Sequence, residues 1–442
     1  MTRNTSDRRE FLRWSTAGAV LAGYHVNWSP ASLHAEVAPN ERLNLAAIGA
    51  SGRAAANIQA CASQNIIAIA DVDAQMLEKG SQPYPQARKY RDFREMLEKE
   101  EDKIDAVLVG TPDHTHAVAT AMALRMKKHV YCEKPLTHTV QEARTLAQLA
   151  HDNQLVTQMG NQIHAGDNYR RVVERIQSGA IGPVREVHVW VNVEYSGGKF
   201  TTGSAPPQHL DWDLWQGPVA ERPYSEGIHP FHWRRFWDYG NGGLGDFGCH
   251  YMDLAHWALD LKHPVRIAAR GPAVDPVSPP AWLTCEYEYP AREELPPVKL
   301  TWYDGLNSAQ RVEPLGNLRG PDGQPLQWRS GQLFVGEQGM LISDYSRHLL
   351  LPVDKYREYE PPEPTIPSSI GHHAEWLQAI RDQGETTCHF GYAGALTEAV
   401  LLGVAAYRSG ETIEWDAERL RATGSAKAEQ FLHREYRNGW IL

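Results

Sequence analysis

The sequence predicts an α/β protein in two parts: an N-terminal doubly wound parallel sheet, then an α+β domain with a large, mostly antiparallel open sheet. Three observations predict it. From Leu43 to Gln158 short apolar runs alternate with helical stretches. The first apolar run ends in a glycine-rich turn. Beyond Val184, apolar and polar residues alternate one by one. Strands alternating with helices imply right-handed crossovers and a sheet covered on both faces, whereas strict alternation marks a strand with one face buried.

The expected strands of the first part are Leu43 to Ile48, Ile66 to Ala70, Ile104 to Val109, His129 to Cys132 and Leu155 to Gln158. Helical stretches run from Asp92 to Glu101, Ala117 to Lys127 and Val140 to Asn153. The first strand enters Gly49-Ala50-Ser51-Gly52-Arg53-Ala54, a tight turn opening a helix. Such a turn points backbone N–H groups and the helix dipole at a pyrophosphate, although Ser51 and Ala54 stand where glycines are common. Asp71 ends the second strand, 22 residues after Gly49. A carboxylate there accepts ribose hydroxyls and repels a 2′-phosphate, favouring NAD over NADP, with Arg53 as a partial offset. The bland alternative for Asp71 is a helix N-cap.

In the second part, Val187, Val189, Val191 and Val193 point one way and His188, Trp190, Asn192 and Glu194 the other. Ala281 to Tyr289, Val298 to Tyr303, Gln332 to Val335 and Met340 to Asp344 are further strands of a largely antiparallel sheet. Helices on one face would leave the Trp190 face free for subunit contact. Between Thr201 and Gly240 lie Trp212, Trp215, Tyr224, Phe231, Trp233, Phe236, Trp237 and Tyr239. These rings suit stacking on a sugar, with His232, Arg234, Arg235 and Asp238 for its hydroxyls; equally, they staple a long loop to the core.

Composition narrows the partners. The 442 residues carry a net charge of −10, which argues against nucleic acid or an anionic membrane. Cys61, Cys132, Cys249, Cys285 and Cys388 lie far apart with no CxxC, so neither a disulfide scaffold nor a cysteine-rich zinc site is expected. At the start, Asp7-Arg8-Arg9-Glu10-Phe11-Leu12-Arg13 precedes a weakly apolar stretch from Trp14 to Val26, too short to span a bilayer. An arginine pair in this setting is similar to a twin-arginine export signal, here residues 1–35, with small residues at Ala31 and Ala35 for cleavage. The expected address is periplasmic.

Three further segments identify a family. They are Gly110-Thr111-Pro112-Asp113-His114-Thr115-His116, then Glu133-Lys134-Pro135 at a strand end, then Gly245-Asp246-Phe247-Gly248-Cys249-His250. Together they resemble the glucose–fructose oxidoreductase / inositol dehydrogenase / MocA (Gfo/Idh/MocA) family, over the chain from Leu43 onwards. The ending Arg434-Glu435-Tyr436-Arg437-Asn438-Gly439-Trp440 is similar to that of exported members with a longer second domain. The resemblance implies a Rossmann domain at 42–163 and a substrate-binding and oligomerisation domain at 164–442, assembled as homodimers or homotetramers through the second sheet.

It also implies roles. Gly49, Ser51, Gly52, Arg53, Asp71, Thr111, Pro112, His116, Glu133 and Lys134 would contact the dinucleotide. Lys134, Asn161, Gln162, Asp246 and His250 would contact the substrate, and the chemistry of the aromatic loop adds Trp233 and Arg234 to them. Lys134, Asp246 and His250 would be catalytic.

The chemistry asks for the same residue types. Oxidising a secondary alcohol needs a base near its hydroxyl and a cation near the developing alkoxide. Histidine is suitable near neutral pH, and Asp246 at i, i+4 from His250 could orient its ring. The bland readings are a solvated strand-end Lys134 and a satisfied helix histidine at His250. His250, Asp253 and His256 raise a divalent metal as a rival. However, residues six apart sit about 120° apart around a helix, so no metal is expected. His372-His373, near a helix start, could reach the active site, but reads first as a surface pair.

The expected activity is hydride transfer between a tightly held NAD, or NADP, and a secondary hydroxyl of a sugar, sugar derivative or polyol. A glycosidase or lyase that oxidises its sugar only transiently is the alternative. A third class is a cofactor-bound carbohydrate-binding protein without turnover.

Overall fold

The computed structural model describes residues 41–442; the export signal expected at residues 1–35 lies outside them. Six strands form the first sheet: β1 (Asn44–Ile48), β2 (Asn65–Ala70), β3 (Arg88–Tyr90), β4 (Ala106–Val109), β5 (His129–Glu133) and β6 (Thr157–Gly160). Their order is β3-β2-β1-β4-β5-β6 and every pairing is parallel. Between them run α1 (Gly52–Ala60), α2 (Ala74–Ser81), α3 (Phe93–Glu100), α4 (Asp113–Arg125) and α5 (Val140–Asp152). The sequence reading missed β3 because its three residues, Arg-Lys-Tyr, lie on an edge and bury no apolar run.

Local chemistry fixes the helix starts. Asp73 caps α2, Asp92 caps α3, and Thr139 with Glu142 forms a reciprocal capping box on α5. Asp71 caps nothing, which removes the bland alternative for it. The helix α4 begins at Asp113, four residues before the expected Ala117.

The second sheet has nine strands: β7 (Val184–Val191), β8 (Arg266–Arg270), β9 (Trp282–Tyr289), β10 (Val298–Gly305), β11 (Gly331–Gly336), β12 (Met340–Ser343), β13 (His348–Leu351), β14 (Ile413–Asp416) and β15 (Arg421–Thr423). The order is β13-β12-β11-β7-β10-β9-β8-β14-β15, antiparallel throughout except for β7 beside β10. Its helices are α6 (Asp167–Gln177), α7 (Trp212–Gln216), α8 (Gly242–Tyr251), α9 (Asp253–Ala258), α10 (His372–Asp382), α11 (Phe390–Ser409) and α12 (Ala426–Glu429). Long and apolar enough to cross a membrane, α11 is instead mostly buried in the core. It approaches α8 closely because Gly248 has no side chain: a Cβ there would lie 2.7 Å from Val400.

The valines of β7 face the core as expected, with Val187, Val189 and Val191 fully buried. The opposite face is not free. Trp190 is fully buried under Val312, Leu315 and Trp328, and its indole N–H donates to the Trp328 carbonyl (2.9 Å). The connection between β10 and β11 folds back over β7, β11 and β12, and covers the surface expected to meet a second subunit. The sheet stays open around β8, β9 and β10, where Arg266–Glu288, Arg270–Glu286 and Lys299–Glu286 ion pairs face out.

The end of the chain returns to the first domain. Arg434 and Tyr436 meet Glu142 Oε1 (2.9 and 2.6 Å), the same carboxylate whose Oε2 completes the cap of α5. Trp440 packs on Phe93 under the Arg94 guanidinium.

Many imidazoles are buried and neutral. Burial pushes His114 down to about 3, His116 to about 4 and His256 to about 3, and holds His138, His250 and His372 well below the usual range. Each then binds a proton first in the unfolded chain, so stability present above pH ~6.5 is lost as pH falls, by about 1.4 kcal/mol per pH unit per group. Buried carboxyls raised to about 6 (Asp71) and about 7 (Asp113, Asp304) act in the opposite sense but are fewer. The urea midpoint of unfolding is therefore expected to be clearly lower at pH 5 than at pH 7.5; an unchanged midpoint would contradict the neutral burial of these rings.

Candidate active site

Two turns of the first sheet form one wall. Gly49 (φ +98°) and Gly52 (φ +53°) adopt left-handed backbone that glycine takes without strain. A Cβ on Gly49 would sit 3.0 Å from Ala54 Cβ and 3.1 Å from the Gly110 carbonyl. Gly110 in turn gives Ala54 room, since a Cβ there would lie 2.8 Å from the Ala54 methyl. This is how the helix packs closely despite alanine at the usual glycine position. Nothing lies within 4 Å of a Cβ placed on Gly52, and Ser51 makes no side-chain cap on α1. Open space over uncapped N–H groups fits a pyrophosphate. The Ser51 hydroxyl turns to Met76 Sδ instead.

Asp71 stands across this turn. Its oxygens accept from the N–H groups of Ala50 (2.8 Å) and Asp73 (2.9 Å), which leaves acceptor capacity for ribose hydroxyls. The Arg91 charge acts on Asp71 and favours its ionised form.

At the end of β5, buried Glu133 accepts from Asn57 Nδ2 (2.9 Å) and Gln162 Nε2 (2.8 Å) through one oxygen. Gln162 thus holds Glu133 and the Tyr131 hydroxyl (2.7 Å). His116 spans the carbonyls of Thr111 (2.7 Å) and Pro135 (2.8 Å) and is fully buried. That corrects its expected contact with cofactor. Lying between the two carbonyls, with the single N–H of its neutral ring donated to one of them, His116 braces the Thr111-Pro112 loop against the Lys134 turn.

Lys134 crosses to the second domain. Its ammonium donates to Asp246 Oδ1 (2.5 Å) and to the Asp246 carbonyl (2.8 Å). Arg234 Nε lies 2.9 Å from the same Oδ1, and the Tyr195 hydroxyl donates to Oδ2 (2.8 Å). Burial alone would raise Asp246, but Arg234 and Lys134 hold it far below the usual carboxylate range. It is an ionised anchor.

His250 sits one helical turn on, and the expected partner is corrected here. Its Nδ1 meets Asn161 Oδ1 at 2.5 Å, not Asp246, whose carboxylate is taken by two cations and a phenol. Asn161 donates its Nδ2 to the Cys249 carbonyl (2.9 Å), so its oxygen must face the ring. His250 therefore carries its proton on Nδ1 and presents Nε2 as an acceptor. Burial first, then the Lys134 charge, press its pKa well below 6.5 and keep it neutral. Asn161 is itself fully buried, so it positions His250 and does not touch substrate.

Other expectations also change. Trp233 is buried with the Arg234 guanidinium 4.0 Å above its ring, so that face is closed to a sugar. Leu210, Trp212, Trp215, Tyr224, Phe236 and Tyr239 pack with it into one cluster, which is the loop-stapling alternative. His372 and His373 are not a surface pair. His372 is buried against the Met159 carbonyl, and His373 stacks on Tyr131 and meets Asn57 Oδ1 (3.0 Å). His250, Asp253 and His256 diverge to Asn161, to His164 with Tyr392, and to Tyr289 respectively. Among the described residues no group of His, Cys, Asp or Glu is arranged to hold a metal.

Sequence reasoning missed Tyr195, Asn57 and Asp113. Asp113 is buried beside Arg234, Asp246 and Lys134, and its Oδ2 has no partner. Asp113 lies inside the Gly110–His116 segment, whereas Tyr195 and Asn57 carry no motif signal of their own.

Comparison with known proteins agrees with this geometry. Residues 43–161 match the oxidoreductase family described as GFO_IDH_MocA, NAD-binding Rossmann fold, and residues 184–294 match its C-terminal alpha/beta domain. Together these span just over half of the chain. The chain is 24% identical over 198 residues to levoglucosan dehydrogenase of Pseudarthrobacter phenanthrenivorans, covering 43% of this chain and 42% of that protein. It is 31% identical over 152 residues to inositol 2-dehydrogenase of Burkholderia multivorans, covering 34% and 44%. The matches thus span less than half the length of these relatives. The fold is similar to that of the WlbA dehydrogenase from Bordetella pertussis in complex with NADH and UDP-GlcNAcA, with TM-score 0.58 and 15% identity over 85% of this chain and 99% of that one.

The His250 assignment is testable by ¹⁵N NMR of histidine-labelled protein. The ring is expected to remain the neutral Nδ1–H tautomer from pH 7.5 to pH 6, whereas an exposed histidine is substantially charged there. Asn161→Leu is expected to abolish the tautomer preference.

Proposed function

Because this chain belongs to the Gfo/Idh/MocA oxidoreductase family, we propose that it is a dehydrogenase of a sugar, sugar derivative or polyol that uses a tightly held NAD. The observation that carries this reading is the pairing of a neutral, tautomer-fixed His250 with a Lys134 anchored one helical turn away on Asp246. The substrate class is supported by the relatives, which are named as sugar and inositol dehydrogenases. The cofactor is supported by the open Gly52 turn and the Asp71 carboxylate.

When bound, the nicotinamide supplies the acceptor for hydride from the carbinol carbon. The hydroxyl proton passes to His250 Nε2, which Asn161 aims through the far side of the ring. The Lys134 ammonium stabilises the developing alkoxide. Asp246 holds that ammonium in place, and Arg234 and Tyr195 hold Asp246. Glu133, fixed by Asn57 and Gln162, shapes the nicotinamide end of the cleft.

Residues 1–35 are proposed to direct export of the folded protein to the periplasm, on the strength of the Arg8-Arg9 pair alone. Assembly into dimers or tetramers is proposed through the uncovered β8–β10 part of the second sheet.

Protein purified from the periplasm is expected to release a nicotinamide nucleotide on denaturation, identified by mass spectrometry; its absence counts against the reading. Lys134→Ala and His250→Asn are expected to lower kcat by about 10²–10⁴-fold with nucleotide still bound. Aglycone release with no net change at 340 nm would select the transient-oxidation glycosidase or lyase. Undiminished physiological activity of Lys134→Ala would select a binding protein. Replacing Arg8 and Arg9 by lysine is expected to leave the protein in the cytoplasm.

A further inference from the structure

One loop of the second domain reaches back to the first. The Ala74 N–H donates to the His209 carbonyl (2.8 Å), and the Asp211 N–H donates to the Val72 carbonyl (3.0 Å). Between them, buried Asp73 accepts from His209 Nδ1 (3.0 Å) and His229 Nε2 (3.1 Å) while also capping α2 through the N–H groups of Gln75 and Met76. An ionised carboxylate only accepts, so both imidazoles donate to it. Val72 packs beneath the aromatic cluster that includes Leu210 and Trp212.

The same loop is pinned a second time. His114, at the start of α4, places Nε2 2.8 Å from the Trp215 carbonyl and packs its ring on Trp215 and Tyr239. Gly217 lies over Thr115, where a Cβ would come within 2.6 Å of the threonine methyl.

These two anchor points have a common meaning. Residues 72–74 directly follow Asp71, and residues 114–115 follow the Thr111-Pro112 turn after Asp113. They are the two lips of the groove, at the carboxyl ends of β2 and β4, in which a parallel sheet of this order takes the adenosine part of a dinucleotide. A strap tied to both lips spans the outer end of that groove.

We infer that residues 209–229 form a clasp over the ADP-ribose half of the bound dinucleotide, pinned by Asp73 to His209 and His229, and that this clasp slows nucleotide release. The inference rests on the dinucleotide-binding reading above and adds the residues that retain the nucleotide. It also gives the clustered rings Trp212, Trp215 and Tyr224 a role: they stiffen the clasp.

The test uses the holoprotein. NADH release is followed by stopped-flow fluorescence with excess ADP-ribose as the competitor, and ADP-ribose affinity is measured by calorimetry. Replacing both His209 and His229 by alanine is expected to speed NADH release and weaken ADP-ribose binding, each by about 10-fold or more. The donor-preserving pair His209→Asn and His229→Gln is expected to restore wild-type values, which a general packing defect would not allow. If the double alanine chain fails to fold, the single His209→Ala and His229→Ala chains are read in the same way. Unchanged release from folded alanine variants overturns the clasp and leaves dinucleotide binding intact. A wild-type protein that binds neither NADH nor ADP-ribose overturns the underlying reading, and the clasp with it.

Discussion

The arrangement of the site depends on one buried carboxylate. Asp246 lies on α8 of the second domain, and the ammonium it holds belongs to the turn that follows β5 of the first sheet. With Arg234 and Tyr195 also bonded to it, the group is a closed cluster of two cations, one anion and one phenol. Removing one partner from such a buried pair leaves an uncompensated charge and typically costs about 3–5 kcal/mol. The ion pair therefore ties the two domains together and fixes where Lys134 can act.

His250 depends on the same helix but on different chemistry. Because Asp246 is consumed by cations, the ring must find its orienting partner elsewhere, and it finds Asn161 at the end of β6. A neutral amide orients an imidazole without charging it, so burial and the nearby ammonium keep the ring unprotonated. A carboxylate in place of Asn161 would pull the pKa up and weaken the ring as an acceptor at low pH. The division of labour is electrostatic: carboxylate for the lysine, amide for the histidine.

Much of the first domain was legible because its strands are short, apolar and bounded by turn residues. The Gly49 turn, Asp71 and the Glu133-Lys134-Pro135 segment each stand at a strand end, where chain order already places them on one edge of a parallel sheet. The edge strand β3 was not legible because three polar residues carry no period. In the second sheet the alternation of Val187, Val189 and Val191 revealed the buried face. It was silent about the other face, since a period of two shows that Trp190 points away from the valines but not what covers it.

The sequence by itself determined the two-part fold and the glycine turn that opens the first helix, because those signals are local in spacing and residue type. Only the tertiary structure decided who pairs with whom. Asp246 going to Lys134, Asn161 to His250, Trp190 to Trp328 and His209 to Asp73 are contacts between residues far apart in the chain. Pairing of that kind follows from competition among buried polar groups for a limited set of partners, and that competition exists only once the chain has closed on itself.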